Sequence, residues 1–149
     1  MQRNLVRIGG WLALFGLLTG SASIFVPWMR RQVATGTGRR AERHLEGVAV
    51  LNIPLGLWYV MLLLTLFAVL GAAAMGVGRG RRLAGVAGPI LSLVTACIAV
   101  ALITTFESRS GGARTAVASG SWLGLASLPL LGFACGLIAI GRARRGTSP

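Results

Sequence analysis

Charged residues fall in clusters along this chain, and between the clusters run four long apolar stretches. These are Ile8–Met29, Gly47–Gly78, Leu83–Phe106 and Thr115–Gly141, and none contains a charged side chain or a histidine. A spanning helix needs about 20 apolar residues to cross a hydrocarbon core about 30 Å thick. Each stretch meets that length. The pattern therefore predicts an all-α fold, an integral membrane four-helix bundle built as two helical hairpins, with the 149 residues forming a single membrane domain.

The punctuation refines the spans. The first runs about 8–28 and stops at Pro27–Trp28, just before Arg30 and Arg31. Pro54 has no amide hydrogen to lose in a first helical turn, so the second span starts near it and covers about 54–76. The third covers about 83–106 and the fourth about 121–141. Loops of appreciable size remain at about 29–53 and 107–120. Pro89 and Pro129 fall inside the last two spans, where each removes a backbone hydrogen bond and bends its helix. A fixed bend for packing explains them more simply than a hinge. A cleaved leader is the competing account of the first span, with Met1–Arg7 as its basic region and Ser21-Ala22-Ser23 as its cleavage site. Ile24, Phe25 and Val26 extend the apolar run to full spanning length, which favours a retained helix.

Charge enters next. The net charge of +12 comes from 15 Arg, no Lys and three Glu. Use of Arg to the exclusion of Lys points to a GC-rich bacterial genome. So basic a chain raises nucleic acid as a partner. Here the Arg sit at span boundaries, with no basic groove or aromatic stacking platform, so no nucleic acid is expected. The partner implied is the bilayer itself, through anionic head groups, and Arg79, Arg81, Arg82, Arg142, Arg144 and Arg145 are the head-group and topology residues.

Orientation is nearly tied on Arg count. Eight Arg (3, 7, 79, 81, 82, 142, 144, 145) lie on the side of the termini and seven (30, 31, 39, 40, 43, 109, 114) on the other. The Gly78–Arg82 connection is short and densely basic, which is the character of a cytoplasmic turn. The longer, Glu-containing loops fall on the opposite face, where Trp28, Trp58, Tyr59 and Trp122 form an interfacial aromatic belt. Both termini are therefore expected in the cytoplasm of a bacterial cell, with the chain multi-pass in its cytoplasmic membrane.

Candidate chemistry is sparse. Residues 37–47 hold the one concentrated polar patch, in which Arg39 and Arg43 lie within a helical turn of Glu42 and Glu46. Thr37 suits a helix start and Gly47 a helix end, and Ala41, Leu45 and Val48 give a narrow apolar edge. These signals predict a short helix lying on the membrane surface. Glu42, His44 and Glu46 are spaced by two, do not share a helix face and lack the ligand count of a metal site.

Within the spans the polar side chains are hydroxyls, led by Thr19, Ser23, Thr65, Ser92, Thr95 and Ser127, each able to bond the preceding helical turn. Ion-coupled carriers and pumps depend on intramembrane carboxylates, His or Arg, and the four stretches have none. No catalytic, cofactor-binding or metal-binding residues are expected, and no cofactor. Cys97 and Cys135 each lie about 14 residues into antiparallel spans. That offsets them by roughly 10 Å along the bundle at 1.5 Å per residue, too far for a disulfide.

Small residues recur at four-residue spacing instead. Gly16 and Gly20 pair in the first span, Ala68, Ala72 and Gly76 line an edge of the second, Ala84, Gly88, Ser92 and Ala96 stripe the third, and Gly132 and Gly136 pair in the fourth. Such stripes let helix backbones approach in lipid. These are the expected helix-packing residues, serving the bundle first and, where a stripe is left over, a partner helix or another copy.

The order of signals resembles a broad class of small four-span proteins of GC-rich bacteria. It rests on Pro27–Trp28 at the end of the first span, the Gly76–Gly85 turn, and Gly120-Ser-Trp122 opening the last span. The nearest named relative is the tryptophan-operon-associated membrane protein family, which is similar in span count and in the Arg-Arg-Leu-x-Gly turn. The resemblance implies an integral membrane protein of uncharacterised activity and carries no catalytic residues to transfer. From the charge-free spans, the packing stripes and the lack of a soluble domain, the expected function is non-enzymatic: an accessory, assembly or scaffold component acting through helix–helix packing, with a membrane protein or a second copy as partner. The alternative is a small pore or exporter, holin-like or homo-oligomeric.

Overall fold

A computed structural model describes the backbone of residues 2–35, 42–76, 79–109 and 115–143, and the side chains of 4–32, 45–76, 79–109 and 115–141. Four helices carry the architecture: α1 Gln2–Phe25, α2 Gly56–Met75, α3 Arg79–Arg109 and α4 Ser119–Ala143. Each is long and apolar enough to cross a membrane. The chain is an all-α four-helix bundle and a multi-pass membrane protein. α3 is the longest at 31 residues, about 46 Å at 1.5 Å per residue, so it exceeds the hydrocarbon core at its ends.

α4 is the helix the others pack around. Half of its apolar window is buried, against 28% in each of the other three. α1 and α3 lie along α4, α2 packs on α3 and more lightly on α4, and α1 and α2 scarcely meet. The inner face of α2 repeats as Gly56, Tyr59, Leu63, Leu66, Leu70 and Ala73, a spacing of three and four. Leu102, Leu128 and Leu131 complete a filled core. Outward-facing Trp11, Phe15, Leu64, Ile90, Leu93 and Phe133 are exposed, as lipid-facing positions are.

Three short strands close the end opposite the termini: β1 Met29–Thr35, β2 Glu42–Val48 and β3 Thr115–Val117, in the order β2-β1-β3. β1 pairs antiparallel with both neighbours, Arg31 lying opposite Glu46 on one side and Thr115 on the other. This overturns the surface helix expected over 37–47. Residues 42–48 are extended because β1 offers them a backbone ladder. Thr37, Arg39, Arg40 and Ala41 lie outside the described residues. The spacing argument against a metal site at 42, 44 and 46 also lapses, since positions two apart share a face in a strand; the side chains of 42 and 44 lie outside the described set.

Helix ends differ modestly from expectation. α1 stops at Phe25 rather than Trp28, while α3 and α4 each run a few residues past both expected ends. Pro54 sits in the turn just before α2, where Leu55 takes a left-handed conformation at φ 67°. Gly56 follows because a Cβ there would overlap the carbonyl of Val50.

Candidate functional site

At the sheet end, a buried cluster of aromatic and hydroxyl side chains ties α1, α2, α4 and the residue leading into β1 together. It begins with a defect in the sequence. Pro27 has no N–H to give the Ser23 carbonyl, its partner one helical turn back. The indole of Trp28 supplies the donor instead, with Nε1–H donating to Ser23 O at 2.6 Å. Trp28 is fully buried and meets the Tyr59 ring edge-on at 4.6 Å between centroids. The Ser23 hydroxyl donates to Gly20 O at 2.7 Å and lies 3.3 Å from the Tyr59 hydroxyl.

The Trp28 backbone joins the two loops. Trp28 N–H donates to Val48 O, and its carbonyl accepts from the Ala118 N–H at 2.8 Å and the Ser121 hydroxyl at 2.5 Å. Gly124 opens the space for this packing, since a Cβ there would lie 2.7 Å from the Trp28 ring and 2.8 Å from the Tyr59 hydroxyl. The interfacial belt is corrected accordingly. Trp28 and Tyr59 point inward and are fully buried, while Trp58 and Trp122 are exposed. An aromatic at the end of an apolar run turns inward when its polar atom finds a partner there. The cluster holds hydroxyls and an indole but no carboxylate, imidazole or thiol, so its chemistry is hydrogen bonding.

The small-residue positions divide by surroundings. Gly16 packs under Leu131, and Gly20 under Phe67 and Ser127. Gly88 lies against Cys135, and Gly132 against Ser92. Ala84 and Ser92 are buried and Ala96 is half-buried against the core. Ala68 and Ala72 face outward, Gly76 is half-buried just past the end of α2, and a Cβ on Gly136 would touch nothing within 4 Å. Gly85 was missed by the four-residue stripe. A Cβ there would lie 2.5 Å from the Cβ of Ala139, making it one of the tightest α3–α4 contacts.

Most hydroxyls bond the preceding turn, as Thr19, Thr65 and Thr95 do. Ser92 departs from that: its hydroxyl crosses to α4 and donates to Leu128 O at 2.6 Å, beside Pro129. Cys97 is exposed, Cys135 is buried, and both thiols are free.

At the opposite end, Arg79 and Arg82 are exposed on the first turn of α3 and Arg81 is half-buried. Arg142 belongs to the last turn of α4, and Arg144 and Arg145 lie outside the described residues. Among the described residues, open grooves run along the bundle surface. One of about 380 Å³ lies between α1 and α2, lined by Gly10, Ala13, Phe67, Gly71 and Ala74 among others. Two more, of about 280 and 270 Å³, lie along α3 and α4. Among the described residues, no group of three His, Cys, Asp or Glu could hold a metal ion. No family model matches the chain, and no curated protein matches it.

Proposed function

We propose that this is a non-enzymatic accessory, assembly or scaffold component of a larger membrane complex, acting through helix–helix packing in a bacterial cytoplasmic membrane. The observation that carries the reading is the seam between α1 and α2. α1 and α3 each close on α4 through small residues such as Gly16, Gly85, Gly88 and Gly132, whereas α1 and α2 scarcely meet beyond the Gly20–Phe67 contact and leave an open groove in which Gly10, Ala13, Gly71 and Ala74 lie among larger apolar residues. Small residues at such a surface allow close backbone approach by another helix. Outward-facing Ala68 and Ala72 extend the same low relief along α2. The partner is a membrane protein or a second copy. The Leu-filled core gives a pore through one copy no support, so a channel would have to form between copies.

Both termini belong on the cytoplasmic side in this reading, with the basic α2–α3 turn. The similarity of layout to the tryptophan-operon-associated membrane protein family is part of the same proposal. The test is a pull-down of the tagged full chain in mild detergent, wild type against a Gly71→Leu, Ala74→Leu variant. A stoichiometric partner or second copy that the variant loses is the expected result. A partner retained at full stoichiometry by the seam variant would move the contact elsewhere, and a solitary wild-type monomer would defeat the reading.

A further inference from the structure

The two grooves on the α3–α4 face lie end to end. The larger is bounded on α3 by Pro89, Ser92, Leu93 and Ala96, and the smaller by Arg82, Gly85 and Val86, one turn further toward the basic end. On α4 the two floors follow one another in the same way, through Pro129, Gly132, Gly136 and Ala139. From Arg82 to Ala96 the face is about 21 Å long at 1.5 Å per residue, more than the roughly 15 Å of half a hydrocarbon core. Its walls are apolar. Ser92, the one hydroxyl in it, already donates to Leu128 O.

The mouth of this groove is positive, with no counter-charge beside it among the described residues. Arg82 lines it, and Arg79 lies one turn earlier on α3. All three acidic residues of the chain, Glu42, Glu46 and Glu107, belong to the sheet end, so no acidic side chain neutralises the Arg at this one. The amino end of α3 adds its positive dipole at the same place. Gly136 keeps the floor of the groove open. Gly85, Gly88 and Gly132 each make room for a neighbouring helix, but a Cβ on Gly136 would meet nothing within 4 Å. A side chain there would intrude only into the groove.

We infer that this face binds an anionic glycerophospholipid of the surrounding leaflet, one acyl chain lying in the α3–α4 groove and the phosphate held by Arg82 and its neighbours. An uncharged or zwitterionic lipid would fill the apolar floor equally well but leave the arginines without an anion. Charge at the mouth thus sets head-group preference, and the floor sets retention.

The experiment is native mass spectrometry of the full chain released from nanodiscs of equimolar phosphatidylglycerol and phosphatidylcholine. Wild type is expected to retain phosphatidylglycerol selectively. Arg82→Gln is expected to reduce that selectivity about fivefold, the worth of one Arg at a membrane surface. Gly136→Leu is expected to lose bound lipid of both kinds at an unchanged melting temperature. Equal retention of the two lipids by wild type, or a folded Gly136→Leu protein carrying the wild-type lipid complement, would overturn the inference. This outcome is separate from the pull-down, which reads the α1–α2 seam on the other side of the bundle.

Discussion

Exchanging a single methyl group between α3 and α4 tests whether these helices meet as closely as described. A Cβ on Gly85 would lie 2.5 Å from the Cβ of Ala139, with the Ala139 Cα at 4.0 Å. Non-bonded carbons rest at about 3.5–4.0 Å. Gly85→Ala therefore forces the two backbones apart by roughly 1 Å or more, and overpacking of that kind costs about 1–3 kcal/mol. Removing the opposing methyl with Ala139→Gly leaves the new Cβ in ordinary contact with the α4 backbone. In the double variant the methyl has moved from one helix to the other. The helix-propensity difference between Gly and Ala, about 1 kcal/mol at each site, then cancels.

The quantity to read is the coupling between the two substitutions. It is expected at about 1–3 kcal/mol in favour of the double variant, which should unfold close to wild type. The assay is reversible unfolding of the full chain in mixed micelles by denaturing detergent, on all four members of the cycle. Additivity within about 0.5 kcal/mol would refute the packing described, because distant sites add in that way.

Further expectations follow from other contacts. Trp28→Phe keeps a buried ring but strips the donor from Ser23 O, and should cost about 1–3 kcal/mol in the same unfolding assay; a neutral variant would deny the indole its role as substitute donor. Ser92→Ala removes the hydrogen bond from α3 to Leu128 O and should cost about 0.6 to 2 kcal/mol; an unchanged midpoint would mean that the carbonyl finds another partner. An apolar maleimide should label exposed Cys97 in the folded protein and reach buried Cys135 only after denaturation; two labels on native protein would contradict the burial of α4.

The spans were legible because a bilayer imposes a length on every crossing, and uninterrupted runs such as Leu83–Phe106 have no other use for so many apolar residues. Which face of each helix turns inward was not. In a soluble helix the polar face reveals the buried one, but here both faces are apolar. The repeat Tyr59, Leu63, Leu66, Leu70 does not stand out from Leu62, Leu64 and Val69 beside it. Glycine is the better guide where backbones touch, as at Gly16 and Gly88, but Gly136 carries the same signal with no helix opposite it.

The sheet was hidden for a different reason. Arg43 and Glu46 fit a helical ladder as well as a strand, and the choice is made by β1, whose pairing with β2 and β3 joins segments almost ninety residues apart. The same long-range closure, through Val48 and Ala118 on the Trp28 backbone, holds the Trp28 ring inward, which local pattern does not record.

In the function proposed, another membrane helix covers the open α1–α2 seam. The most direct measurement extracts the full chain from its native membrane into polymer-bounded nanodiscs, without detergent, and determines the protein mass and composition of the particle. The expected result is a mass well above one 15.5 kDa chain, made up by a fixed number of copies or by a stoichiometric integral partner. A particle holding one chain and lipid alone would contradict it.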